Sequence, residues 1–367
     1  MSLTGYLKSH PVALLLALTP GIPEYLSSSS PINAIVLNPF MFLFQLLANL
    51  GLYGSGVLLI YEAKVRWKKG WATVLLLGAA YGILEEGVAL STLYDPKANP
   101  VGDFGIYGHW AGVNWIWSAG IVPFHALWSI SLPILLLGLA LPGTVGKSLL
   151  SKRRIAIVAM VFLIDVLVLM AFVSRVSGYW MGLPILVLSL VFVGALVFAA
   201  RRVPAGALAT RPVIHSASNK VLAIVGISLY PAVLLTENIP KAAGVPAVVD
   251  FVLVLLMQAL FLVYIVRSSG IGENRKGLLS LSFGLILPIA AFGLIAEIGL
   301  PMTLLVDAAM VLFFRRLWLK GTPTSEPGKL ERLNHPSTQH NEDMPAPRTA
   351  PRCISVTSSW LPSARHS

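Results

Sequence analysis

The chain has 367 residues, 56% of them hydrophobic and only 12% charged. Soluble domains carry roughly 25% charged residues, so this composition excludes a water-soluble globular protein and points to the lipid bilayer as the partner. The net charge of +11 does not call for nucleic acid, because the lysines and arginines lie in short clusters between apolar runs, where membrane topology places them. The single cysteine, Cys353, leaves no intrachain disulfide.

At the start, Lys8 precedes the apolar run Val12 to Leu18. This has the outline of a signal peptide, but no small-x-small cleavage site precedes Pro20 and Pro23, so an uncleaved, short first span is expected. Ten apolar segments follow one another at about 9–26, 38–61, 71–94, 114–141, 155–174, 179–200, 219–239, 247–267, 277–299 and 301–319. A helical span takes roughly 20 residues, whereas a membrane strand takes about half that and alternates in polarity. The expected fold is therefore all-α, a polytopic integral membrane protein of about ten transmembrane helices. Residues 1–320 form one transmembrane domain in this reading. From 321 to 367 the chain turns rich in Pro, Ser and Thr, which implies a disordered cytoplasmic tail.

Nineteen lysines and arginines fall before the first segment or after the even ones, against three on the other side, Lys97, Arg175 and Lys241. The positive-inside rule then predicts a cell-membrane protein with both termini in the cytoplasm. A faint repeat, Leu132-Pro133-Ile134 and Leu287-Pro288-Ile289, precedes spans carrying Asp165 and Asp307. That offset of five spans is the arrangement of inverted-repeat transporters.

The chemistry concentrates in the third and fourth segments. Gly82-Ile83-Leu84-Glu85-Glu86-Gly87 puts two glutamates inside an apolar run, and His125 lies well inside the next. Ionisable residues at such depth are costly and mark functional sites by default. At ~1.5 Å per residue, Glu85 and His125 come to similar depths on helices joined by one loop. Small or polar residues surround Glu85 on its face (Gly78, Gly82, Ala89, Thr92) and favour close packing, while Glu86 is expected to point about 100° away. The loop 95–113 is the longest external connection. It reads either as an interfacial belt with Trp110, Trp115 and Trp117 or as a lid, with Asp103, His109 and Asn114 near its mouth. Asp165, Asp307, Glu237 and Glu297 are further intramembrane acids. No lysine lies mid-span for Schiff-base chemistry and no second deep histidine for a bis-histidine haem. Glu85, Glu86 and His125 are possible metal ligands, but no second histidine stands at i, i+4 spacing, so no cofactor and no metal are expected.

Tyr61-Glu62-Ala63-Lys64-Val65-Arg66-Trp67-Lys68-Lys69-Gly70-Trp71, Tyr81-Gly82-Ile83-Leu84-Glu85-Glu86-Gly87, Tyr107-Gly108-His109-Trp110, Gly112-Val113-Asn114-Trp115 and His125 with Ser129-Ile130-Ser131-Leu132-Pro133-Ile134 resemble an uncharacterised family of prokaryotic multi-pass membrane proteins over about residues 10–150. Glu85, Glu86 and His125 are also similar in outline to the glutamate-type intramembrane proteases that process CAAX proteins and bacteriocins. Leu90 stands where those have an arginine, and His215 falls in a loop rather than a span. That likeness implies an intramembrane hydrolase with Glu85 as general base, Glu86 as auxiliary acid and His125 stabilising an oxyanion. The alternatives are a secondary transporter coupling protons or cations through the same acids with Asp165 or Asp307, and a non-catalytic scaffold.

Overall fold

In a computed structural model of the chain, residues 10–208, 217–268, 274–297 and 301–320 are described. The expected tail, 321–367, and His215 lie outside them. The architecture is all-α. Among the described residues eight helices are long and apolar enough to cross a membrane. In chain order these are α2 (Pro39–Arg66), α3 (Trp71–Ala89), α4 (Trp115–Ala140), α5 (Lys152–Ser177), α6 (Leu183–Arg202), α7 (Asn219–Ala242), α8 (Ala247–Ser268) and α9 (Arg275–Ala296). Two shorter helices flank them, α1 (Pro11–Pro20, continued by Gly21–Tyr25) and α10 (Thr303–Leu319), and single turns of helix stand at Ala34–Leu37 and Phe104–Tyr107. The strand content is one two-residue hairpin, His109–Trp110 against Val113–Asn114, in the loop between α3 and α4.

Burial separates the centre of the bundle from its lipid face. The most apolar windows of α3 and α4 are 67% and 61% buried, against 11% for α5, α6 and α8. On those outer helices Leu163, Leu167, Phe192 and Leu260 are exposed, as a hydrocarbon solvent demands. Backbones approach where glycines permit. A Cβ on Gly78 would lie 2.7 Å from Ala126 Cα, and one on Gly82 3.2 Å from His125 Cβ, so α3 and α4 meet with almost no side-chain spacer. Gly226 of α7 and Gly284 of α9 interlock in the same way, each facing the other helix's backbone. Without a hydrophobic driving force between helices in lipid, such small-residue contacts provide the packing.

α3 ends earlier than its apolar run. Ser91 takes a left-handed φ of 58°, and the chain turns there into the loop. Thr73 Oγ1 donates to Ala200 O at 2.8 Å, fastening α3 to α6. At the same end of the bundle Glu62 accepts from Leu149 N (2.6 Å), Leu150 N (2.9 Å), Ser148 Oγ (2.6 Å) and Arg66 Nε (2.8 Å).

Candidate functional site: a carboxylate and imidazole cluster on four π turns

Each of the first four helices contains one stretch of π-helix: Gly21–Tyr25 in α1, Leu50–Gly54 in α2, Ile83–Ala89 in α3 and His125–Ser131 in α4. The widened i to i+5 bonds are explicit at Leu26 N to Gly21 O (3.0 Å) and Leu90 N to Glu85 O (2.8 Å). Their cause is local. Pro20, Pro23 and Pro123 remove backbone donors, and Gly21, Gly51, Gly54, Gly82 and Gly87 lower the cost of the irregular geometry. π turns inside α-helices occur frequently at functional sites. Here the four stretches carry Glu24, Tyr53, the pair Glu85 and Glu86, and the pair His125 and Ser129.

These side chains converge. His125 Nε2 is 2.9 Å from Glu86 Oε1, and His125 Nδ1 is 3.0 Å from Glu85 Oε2 and 3.0 Å from Ser129 Oγ. Glu85 is 1% exposed, Glu86 6% and His125 2%. The expectation that Glu86 would point away from Glu85 is corrected: the π turn widens the helix, and both carboxylates face the one imidazole. The hydrogen bond at Nδ1 goes to Ser129, and neither Glu85 oxygen has a donor aligned with it. Tyr53 and Tyr81 pack their rings 6.1 Å from that of His125, and Phe124 lies against it at 5.6 Å.

Two arms extend from this centre. On one, Tyr53 donates to Glu24 Oε1 (2.6 Å), Ser30 donates to Glu24 Oε2 (2.7 Å), and Asn49 Nδ2 donates to Ser30 Oγ (3.0 Å). On the other, the Thr92 hydroxyl donates to Glu86 Oε2 and accepts from Trp117 Nε1 at 3.1 Å. Asn114, fully buried, donates to Thr92 O (2.8 Å) and Asp95 O (2.9 Å) and accepts from His109 Nδ1 (2.6 Å). Asn114 and His109 therefore reach the cluster through Thr92. Asp103 does not. Its side chain is 85% exposed and lies 3.5 Å from Lys241 Nζ. Asp165 rests against the backbone of Gly51, where an added Cβ would meet its Cγ at 2.8 Å, and Asp307 sits on α10 with both oxygens unpartnered.

Glu24 and Tyr53 were absent from the residues singled out in the sequence. The available signal was a glutamate at the end of a span broken by Pro20 and Pro23, the same proline-interrupted pattern that precedes His125. The partners of the three carboxylates are tyrosine, serine, threonine and histidine side chains; none is a lysine or arginine. Glu85, Glu86 and His125 offer donor atoms within 4.8 Å of one another, a spacing compatible with a metal ion.

Among the described residues, eight helices long and apolar enough to span a bilayer, with a buried cluster of acids and an imidazole among them, define a multi-pass integral membrane protein with a polar centre. A model of an uncharacterized membrane protein family matches residues 13–323, and the chain belongs to that family. No curated protein and no solved structure matches the chain.

Proposed function

We propose that the protein is an intramembrane hydrolase with Glu85 as its general base. The observation that carries this is a carboxylate buried to 1% exposure, with no donor aligned on either oxygen, 3.0 Å from an imidazole nitrogen. A carboxylate in that state is free to take a proton from a water. The attacked carbonyl would develop negative charge, which His125 in its protonated form offsets while Glu86 and Ser129 hold the ring; as the tetrahedral adduct collapses, the bond to the leaving group breaks and that group takes the proton held by Glu85. General-base catalysis contributes typically 10²–10⁴-fold, and a positioned oxyanion donor about 10²–10³-fold. The Thr92, Asn114 and His109 arm supplies a polar approach from the loop.

An apolar cavity lies beside the cluster, lined by none of Glu85, Glu86 and His125 themselves. The π turn that presents His125 and Ser129 to the cluster turns Ala126, Leu127 and Trp128 toward a cavity of about 390 Å³ bounded by α3, α4, α7, α8 and α9. A membrane-embedded substrate suits such a lining. A proton-coupled transporter would thread its acids along a pathway, and Asp165 and Asp307 have no bond to the cluster, which favours the local, hydrolytic reading. The basic asymmetry supports both termini in the cytoplasm, so that the cluster lies in the external half of the membrane.

The test compares cells expressing the wild type with cells expressing Glu85→Gln at equal level, both grown in water enriched in ¹⁸O. Membrane protein and lipid extracts of the wild type should contain hydrolysis products carrying the label, absent or reduced at least 100-fold in the variant. Identical product spectra would overturn the proposal.

A further inference from the structure

Three carboxylates and one imidazole meet between α1, α2, α3 and α4 with no lysine or arginine among their partners. Even an imidazolium would leave the set strongly negative, and burying an uncompensated ion costs several kcal/mol as an order of magnitude. Retained protons or a bound cation must offset that charge. An independent observation shows where: Glu85, 1% exposed, has no donor aligned on either oxygen, and its ion-pair contact is His125 Nδ1, 3.0 Å from Oε2. A buried polar group in that state calls for an ion or a water.

We propose that Glu85, Glu86 and His125 bind one divalent transition-metal ion of the zinc type. Three arguments support the assignment. The donor atoms lie within 4.8 Å of one another. His125 Nε2 and Glu86 Oε1, 2.9 Å apart, already stand near the roughly 3 Å that separates two ligands on an ion with bonds of about 2.0–2.2 Å. The outer contacts are those of a metal site: Ser129 Oγ, 3.0 Å from Nδ1, is placed to accept from an Nδ1–H and so let Nε2 exchange its contact with Glu86 for an ion, and Thr92, itself held by Trp117, orients Glu86. One nitrogen and two carboxylates suit Zn²⁺ and its neighbours. Ca²⁺ takes about 6–8 oxygens, more than the site offers.

Three protein ligands leave a fourth position for water, as in catalytic zinc sites. On the hydrolytic reading that water would be the nucleophile, its proton would pass to the Glu85 oxygen not held by the ion, and the ion would take over from a protonated His125 in offsetting the oxyanion. This consequence rests on that reading; the binding itself does not.

The test uses the full chain purified in detergent, stripped with EDTA and titrated with ZnCl₂ by calorimetry and with CoCl₂ by visible absorption. The wild type should bind about one ion per chain, with cobalt bands of nitrogen and oxygen coordination. Glu85→Gln, Glu86→Gln and His125→Ala should each weaken binding at least tenfold, Ser129→Ala about tenfold, and Asp165→Asn not at all. No saturable binding by the stripped wild type would overturn the inference, as would wild-type affinity in Glu85→Gln, which keeps the side chain's size and decides the matter if His125→Ala does not fold. Stoichiometric binding without ¹⁸O-labelled products would sink the hydrolase and leave the metal site standing. Labelled products from EDTA-stripped protein would sink the ion's part in the hydrolysis and leave the hydrolase and the binding standing.

Discussion

Glu86 Oε1 and His125 Nε2 stand 2.9 Å apart although 39 positions separate them in the chain. The contact exists because α3 and α4 run antiparallel in near-backbone contact, Gly78 against Ala126 and Gly82 against Val122 and His125. Both partners are almost fully buried. Removing one member of such a pair strands the other, at a cost of about 3–5 kcal/mol. His125→Ala should therefore destabilise the metal-free protein by about that amount. Adding Glu86→Gln in the His125→Ala background should then cost less than about 1 kcal/mol, since its partner is already gone. Reversible unfolding in mixed micelles measures both steps, and additive losses would refute the coupling.

The glycine seam makes a separate prediction. A Cβ on Gly78 would come within 2.7 Å of Ala126 Cα, which is backbone and cannot swing aside. Gly78→Val should push α4 away and cost about 1–3 kcal/mol, the usual range for overpacking. It should also weaken any function that depends on the distance between Glu85 and His125. Gly143→Ala faces open space and serves as the control. A melting temperature for Gly78→Val equal to that of Gly143→Ala would show that the seam is softer than its geometry implies.

Much of this arrangement was readable in advance, for identifiable reasons. Helix number and type follow from run length alone, because lipid permits no unpaired backbone. The meeting of Glu85 with His125 follows from matched depth on consecutive helices. The facing of Glu86 was not readable, since rotation at 100° per residue assumes an unbroken α-helix and the segment Ile83–Ala89 is a π-helix. Glu24 and Tyr53 escaped for a related reason. Nothing in the local pattern of α1 or α2 says that their π turns pack against that of α4. Asp103 looked like part of the lid because it is near in sequence, but its solvated pairing with Lys241 places it apart.

Glu62 is a buried acid with a different job. Three of its four bonds tie the end of α2 to the segment Ser148–Leu150, two of them from backbone N–H groups, and the fourth is to Arg66 on α2 itself. Glu62→Ala would orphan those donors, each worth about 1–3 kcal/mol when left unsatisfied. The expected outcome is a loss of stability of at least about 2 kcal/mol with Zn²⁺ affinity unchanged within twofold. A shift in metal affinity as large as that of Glu85→Gln would mean that Glu62 communicates with the cluster.

The last prediction concerns orientation, where sequence and structure supply different halves of the argument. The structure ties certain loops to one end of the bundle. Arg66 Nη2 reaches Leu150 O at 2.6 Å, Lys69 Nζ reaches Val203 O at 2.7 Å, and Arg201 lies over Trp67 at 5.7 Å. The connections around residues 67–70, 145–151 and 203–208 therefore share a side, whichever side it is. Lys241, over Phe104 at 4.5 Å and 3.5 Å from Asp103, joins the loop between α3 and α4 to the end of α7. The charge count then chooses between the two orientations: by alternation of the segments nineteen basic residues fall on the side of the first set of loops and three on the side of the second, and loops rich in Lys and Arg stay in the cytoplasm. Reporter fusions or single cysteines at Ser148 and Ala205 should report cytoplasmic, and those at Ala98 and Ala242 external. An external signal at both Ser148 and Ala205 would invert the protein and move the cluster to the cytoplasmic half of the membrane. Opposite signals at those two positions would contradict the packing of α2, α3 and α6 itself.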